Sequence, residues 1–436
     1  MYSPMEQPIV IIGGGLMGVS TLYELAAQGR RAILLEAETA LGLGASFANG
    51  GVLHPSLPDP WNNPGIGGPL LRSLFSRTAA MKLHWRHLPA LTTWGMTFLR
   101  HSTADKHWQA SRANYHLAAF ATEETKALSA RLQLTYDNRP SGMMKVYRSA
   151  RGLKQAAAFA RRLHGEGLQV ESLSPDQMVA RDPQLADAAT QLAGALVFDG
   201  DYIGDARAFL LALAQQGEKL GGDIRCGARV TRLLHHRGTV TGVEVSENGA
   251  LSQIDAQVVL CNGHQADQLT RPLGLKLPVR PAKGYSITLD ASHVPDLMPH
   301  HPIVDAEKHI SITPLGNRLR LLGTAEFNGD DTSLNQTRLD TLRQFFRQLY
   351  PTLASQLDIE AGDCWAGLRP MSADGKPFIG ASPLDGLWLN VGHGHLGWTM
   401  AVGSAKLLTH QMLNASGQET TPLPSPLDPT AFSASR

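Results

Sequence analysis

Arg369 lies in an apolar, strand-like run, Trp365-Ala366-Gly367-Leu368-Arg369-Pro370, where a charged side chain must find a partner if it is buried. A structural salt bridge would satisfy it. So would a substrate carboxylate gripped through two parallel hydrogen bonds by the flat guanidinium. A second chemically pointed stretch, Gly392-His393-Gly394-His395-Leu396-Gly397, separates the strand-like Leu387–Val391 from a helix expected over Trp398 to Leu413. Small residues there bare a helix N-terminus, whose positive dipole end can stabilise negative charge. His393 and His395 are also a conceivable metal pair, but alternate positions on a glycine turn without a cysteine or carboxylate nearby make a poor ligand set, and no metal is expected.

The third stretch opens the chain. The apolar run Ile9-Val10-Ile11-Ile12 meets Gly13-Gly14-Gly15-Leu16-Met17-Gly18, and a helical pattern from Leu16 to Gln28 follows, ended by Gly29. Gly13, Gly15 and Gly18 have the spacing that allows a tight turn, close backbone approach to a pyrophosphate and close packing of helix on strand. The helix N-terminus then offers unpaired N–H groups to phosphate. A second strand, Ala32–Leu35, ends on Glu36, where a carboxylate accepts the ribose hydroxyls of an adenine dinucleotide and repels a 2′-phosphate. The small residues from Gly42 to His54 let backbone N–H groups, with the Ser46 and Asn49 side chains, approach the same anion.

These sites need elements to hold them. With 436 residues the chain exceeds what one hydrophobic core usually serves, so two domains are expected. A net charge of +1 gives no field for nucleic acid. The cysteines Cys226, Cys261 and Cys364 lie far apart, which fits neither a disulfide framework nor a zinc site and points to a reducing compartment. Met1 to Pro8 is short and polar and leads straight into the first strand, so no cleavable leader is expected, and the location is read as cytoplasmic.

Between Trp61 and Ala104 there is no acidic residue, while Arg72, Arg77, Lys82, Arg86 and Arg100 alternate with large apolar residues such as Leu71, Phe75, Trp85, Trp94, Met96, Phe98 and Leu99. Such a stretch can lie on an anionic membrane surface or pack as ordinary helices. Helices are expected over Ala156–His164, Arg207–Leu220 and Asn335–Leu349. Ile224–Cys226 is expected to open an alternating strand region, in which Val230, Val240–Val245 and Ile254–Cys261 form an antiparallel meander and a return to the parallel sheet. Asn262-Gly263 then makes a further turn towards the cofactor.

Taken together, these motifs resemble the FAD-dependent D-amino acid oxidase superfamily, and within it the bacterial D-amino acid dehydrogenases. The resemblance is carried by Gly13 to Glu36, Ser46-Phe47-Ala48-Asn49, Lys283-Gly284-Tyr285-Ser286, Gly367 to Gly375, and Leu389 to Met400. It implies a mixed α/β and α+β fold. A discontinuous Rossmann-like FAD domain (1–57, 195–270 and 362–436) would carry an inserted substrate domain (58–194 and 271–361) built on a mixed antiparallel sheet.

It further implies that Gly13, Gly15, Leu16, Met17 and Gly18 hold the pyrophosphate and that Glu36 and Ala37 meet the ribose. Ser46, Asn49, Gly50, Gly51, Val230, Asn262 and Gly263 would complete the cofactor wall. Gly392, His393, Gly394, His395, Leu396 and Gly397 would face the flavin pyrimidine end. Arg369 would pair with the substrate carboxylate, with Tyr285, His54 and His309 in the pocket. His309 stands where an apolar or tyrosyl residue is expected of the family, and His395 where a small one is.

The implied reaction is oxidative deamination of a D-amino acid by hydride transfer to FAD. The FAD would be held non-covalently, since no cysteine falls in a flavin-facing motif, and the electrons would pass to a quinone or another carrier. The resemblance also admits a secondary amine as substrate, such as D-proline, D-hydroxyproline or an N-methyl amino acid. The basic stretch leaves room for peripheral placement on the inner face of the cell membrane.

Overall fold

The computed structural model describes residues 7–74 and 79–436. Phe75 and Arg77 of the basic stretch, and most of the polar N-terminal segment, lie outside the described residues. The strand Ile9–Ile12 sits in the middle of a six-stranded sheet ordered Phe378–Ala381, Leu387–Val391, Gln257–Leu260, Ile9–Ile12, Ala32–Glu36, Asp223–Cys226. All neighbours are parallel except the Phe378–Ala381 edge.

A parallel sheet buried on both faces demands continuous apolar strands, and the first strand meets this with four buried residues. Its alternation decides what covers each face. Ile9 and Ile11 pack with the helices Leu16–Ala27, Ala206–Lys219 and Gly397–Ala415. Val10 and Ile12 pack with the antiparallel three-stranded sheet Ala228–His236, Thr239–Glu247, Ala250–Asp255.

One expectation for this region is corrected: Ile224 lies on Asp223–Cys226, which joins the parallel sheet beside Ala32–Glu36 and does not open the meander. The expected meander and return to the parallel sheet are both present, with the break at Ala256: Ala250–Asp255 belongs to the meander and Gln257–Leu260 to the parallel sheet.

A nine-stranded mixed sheet forms the second layer system. Its longest strand, Val279–Asp290, pairs antiparallel with the edge strand Asp363–Ser372 on one side and Arg318–Phe327 on the other. The amphipathic helix Gln336–Leu349, capped by the Asn335 side chain, lays Leu339, Leu342, Phe345 and Phe346 on one face. The opposite face looks towards the glycine turns of the first sheet.

Gly194–Phe198 and Asp363–Ser372 both belong to this larger sheet. Sheet membership therefore moves the expected divisions at 195 and 362, which had placed both strands in the FAD domain. Arg369 rides on the Asp363–Ser372 strand and so belongs to the larger sheet. The 29-residue helix Ala104–Leu132, capped by Thr103, lies along Gly397–Ala415. A Cβ on Gly403 would stand 2.5 Å from the Ala121 Cβ, so glycine permits the close crossing.

Candidate active site

Between the two sheets lies a cavity of about 1340 Å³, walled by the loops that leave the C-terminal ends of the parallel strands. At the dinucleotide end Gly13 turns the chain with φ +108°, and a Cβ there would come within 2.9 Å of the Asn262 Cα. A Cβ on Gly18 would stand 1.8 Å from the Gly13 carbonyl oxygen. Gly18 is therefore a packing residue that lets the helix sit down on the turn. It does not line the cavity, and its assignment to the cofactor wall is corrected to that extent.

The helix Leu16–Ala27 starts at Gly15, which has no side chain to cap it. The Leu16 N–H donates to the Ser46 Oγ at 3.2 Å, so Ser46 sits at the helix N-terminus. Asn49 Oδ1 accepts from the Gly51 N–H at 3.0 Å and braces its own loop. Glu36 Oε2 accepts from the Gly14 N–H at 2.5 Å, and its Oε1 accepts from the Glu38 N–H at 2.8 Å, which holds the carboxylate at the lip of the turn.

Gly13, Gly15, Leu16, Met17, Glu36 and Ala37 all line this end of the cavity, as do Ser46, Asn49, Gly50 and Gly51. Val230, Asn262 and Gly263 face them, and the buried Asn262 Oδ1 has no hydrogen-bond partner among the described residues. An uncapped helix start, a cradle that Cβ atoms would fill, a carboxylate at the strand end and an orphaned amide oxygen fit an adenine dinucleotide.

At the other end Gly392, His393, Gly394, His395 and Gly397 line the cavity. The Leu396 side chain instead points into the helical core beneath the loop, a correction that follows from its place on the tight turn Gly394–Leu396. His393 is buried, with Nε2 2.9 Å from the Ser404 Oγ. His395 Nε2 lies 3.4 Å from the Leu57 carbonyl, which can only accept, so Nε2 carries the hydrogen and Nδ1 is left as an acceptor.

Arg369 lines the cavity, and its Nη1 donates to the Thr324 carbonyl at 3.4 Å. No carboxylate pairs with it among the described residues, and burial pushes its pKa down to about 10. Room for the guanidinium comes from Gly284, where a Cβ would stand 2.1 Å from Nη1. The arginine Cζ sits 5.8 Å from the Trp61 ring centre, Trp61 stacks on His395 at 5.8 Å, and His395 stacks on His54 at 6.3 Å.

The expectation for Tyr285 is corrected. In the strand register Ala282 faces Arg369 and Gly284 faces Gly367, so these share the cavity face, while Tyr285 pairs with Ala366 on the other. Tyr285 is buried in the core under the helix Gln336–Leu349 and donates to Glu326 Oε2 at 2.5 Å. His54 and His309 do reach the cavity. His309 holds φ +55° and the nearby Thr324 holds φ +58°, costly backbone for a β-branched residue and a mark of a wall shaped for something other than stability.

Trp61, Asp59, Lys145 and Trp365 also line the cavity and were not singled out from sequence. Lys145 carried a readable signal, since a lysine inside Met143-Met144-Lys145-Val146-Tyr147 has the same oddity as Arg369 in its own strand. Trp61 and Asp59 carried none, because only the fold brings their loop against His395.

A mixed α/β chain with a dinucleotide cradle facing a substrate cavity is the architecture of a flavin-type oxidoreductase. The chain belongs to the DAO family of FAD dependent oxidoreductases, whose family model matches residues 8–411. It is 37% identical over 401 residues to D-amino acid dehydrogenase of Cereibacter sphaeroides, covering 92% of this chain and 90% of that one. It is 36% identical over 400 residues to the enzyme of the same name from Methylobacterium radiotolerans, covering 92% and 94%.

Among solved structures it resembles L-proline dehydrogenase from P. horikoshii, with a TM-score of 0.74, 18% identity and coverage of 99% and 98%. Glycine oxidase from Bacillus cereus gives a TM-score of 0.72 at 19% identity, covering 95% and 96%. At such identities these two show the fold alone. The cofactor is FAD, and the residues of the cradle fit it.

Three imidazoles of the site are held neutral. Burial takes the pKa of His54 and His393 down to about 3 and lowers that of His395. In the unfolded chain these groups bind protons near pH 6.5, so the unfolded state gains protons first as pH falls. Their contribution to stability is therefore complete above that pH and is lost as pH falls from there towards 3. The urea midpoint of the holoenzyme is expected to drop between pH 8 and pH 5, and His54→Asn combined with His393→Asn should flatten that dependence. Identical slopes in variant and parent would show that these imidazoles are not held neutral.

Proposed function

We propose that this protein oxidises D-amino acids to imino acids, which water then hydrolyses to oxo acids and ammonia. The observation that carries this reading is Arg369, a desolvated cation with no counter-ion among the described residues, on the wall facing the Gly392–Gly397 loop. A substrate carboxylate supplies the missing charge through two parallel hydrogen bonds. The thirty-odd per cent identity to curated D-amino acid dehydrogenases along nearly the whole chain supports it independently.

When bound, FAD supplies the acceptor for the hydride that leaves the substrate α-carbon. The rest of the work is done by the chain. Arg369, fixed between the Thr324 carbonyl and the Trp61 ring over the gap at Gly284, sets the position of the carboxylate and hence of the α-carbon. The helix Gly397–Ala415 starts at the cavity with no side-chain cap, which leaves its partial positive charge directed there. No protein base is needed at the α-hydrogen, since it leaves with its electron pair.

Arg369→Met is expected to raise KM for a D-amino acid by on the order of 100-fold or more, and to lower kcat, with FAD content unchanged. Because the same change removes an unpaired buried charge, it should also raise the thermal midpoint of the substrate-free enzyme. Unchanged kinetics would remove Arg369 from the site.

For the electron acceptor, a membrane quinone is supported by the surface beside the cavity mouth. Trp94 and Phe98 of the basic stretch are buried against Ala282, Phe327 and Met371, so its inner face is ordinary packing. Its outer face exposes Trp85 (71%), Leu71 (63%), Met96 and Leu99 beside the exposed Arg72, Arg86 and Arg100. The intervening Ile66, Leu70 and Met81 line the cavity itself. An apolar patch ringed by arginines suits an anionic lipid surface. No helix among the described residues is long and apolar enough to cross a membrane.

The holoenzyme should co-sediment with vesicles containing anionic lipid and be released by salt, and Trp85→Ser with Leu71→Ser should weaken that binding. Absence of binding to anionic vesicles at low salt would exclude this placement.

A further inference from the structure

Beyond Trp61, away from Arg369, the cavity ends in polar side chains whose hydrogen-bonding capacity the described residues use only in part. Lys145 comes from the middle of the strand Met143–Tyr147 and Asp59 from the loop that follows Val52–Leu53. His309 comes from the turn between Ile303–Asp305 and Ile310–Leu315, and His54 and His395 are stacked on Trp61's side. The Lys145 ammonium makes no hydrogen bond or ion pair within 4.0 Å to any described residue, and the Asp59 carboxylate makes none to any other described side chain, although the two attract each other across the cavity. The buried His54 Nδ1 has no partner either. Asp305, which also lines this end, is excluded as a ligand-binding charge because Arg148 already pairs with it at 2.7 Å.

This end therefore offers one cation and one anion, with net charge near zero, separated by a gap that neither bridges. A charged ligand group would satisfy one and repel the other. An apolar group would leave both unpaired, at the full desolvation cost. A neutral group that accepts from Lys145 and donates to Asp59 satisfies both, and neutral imidazoles around it can serve either role.

We propose, building on the D-amino acid reading above, that this is a side-chain subsite for substrates ending in a neutral donor–acceptor group, a carboxamide before a hydroxyl. Asp59 and Lys145 are then specificity-determining residues and Arg369 remains the common anchor. A site built to hydrogen-bond such a group discriminates far more strongly against its apolar isostere than a hydrophobic slot discriminates by size.

Two readouts on the FAD-loaded holoenzyme test this. The first is kcat/KM for D-asparagine, D-leucine and D-aspartate, which share a skeleton and differ in the tip. The second is calorimetric binding of their amine-free counterparts succinamate, 4-methylpentanoate and succinate, which cannot be oxidised.

The amide is expected to lead both others by on the order of 100-fold in both series. The double variant Asp59→Leu/Lys145→Met, which removes both charges together and strands neither, should reverse the order in favour of D-leucine and 4-methylpentanoate. D-leucine or D-aspartate turned over as well as D-asparagine would overturn the subsite and leave the D-amino acid reading standing. Failure of every D-amino acid and every carboxylate would instead overturn that reading, and the subsite with it. Should the double variant not fold, the two series on the parent enzyme still decide the matter.

Discussion

The site depends on a cation, Arg369, that no carboxylate among the described residues neutralises. Arg369 is placed on a sheet strand, taken out of water, and given a carbonyl and an aromatic face but no carboxylate. A protein built only for stability would pair such a charge or replace it. Its neighbours are chosen for the same constraint. Glycine at 284 is the only residue that leaves space for the guanidinium, and Trp61 limits where it can swing. The left-handed backbone at Thr324 turns a carbonyl towards it, at a cost in strain that the surrounding strands must hold.

The rest of the fold brings a cofactor cradle to face that cation. The glycine turn, the uncapped helix and Glu36 are consequences of a sheet whose five parallel strands end on one side. The larger sheet then covers this edge with its glycine-bearing face, and its other face is sealed by the helix Gln336–Leu349. In contrast, the cluster of Tyr285, Glu326 and Arg338 shows the usual fate of buried polar groups in this protein, each satisfied by another. Against that background Arg369, Lys145 and Asp59 stand out as charges with no ion-pair partner among the described residues.

The cradle was legible in the sequence because its chemistry is local. Turn, helix start and strand-end carboxylate follow one another within Gly13 to Glu36, and each residue type is required by its own backbone position. Arg369 was legible for a related reason, as a charge in an apolar strand. Tyr285 was misread because adjacent strand residues point to opposite faces, and only the pairing with Ala366 shows which face is core. Trp61 and Asp59 share one loop and Lys145 comes from a distant strand, so only the folded chain assembles them. The domain divisions at 195 and 362 failed similarly, since strand partners distant in sequence decide sheet membership.

The account stands or falls on whether a D-amino acid delivers electrons to the bound cofactor. The visible spectrum of the FAD-loaded protein, recorded without oxygen before and after adding matched D- and L-amino acids, measures this directly. Bleaching of the flavin band by D-amino acids and not by their L-enantiomers is the predicted result. A band that stays oxidised with every D-amino acid, or bleaches equally with the L-series, would contradict it.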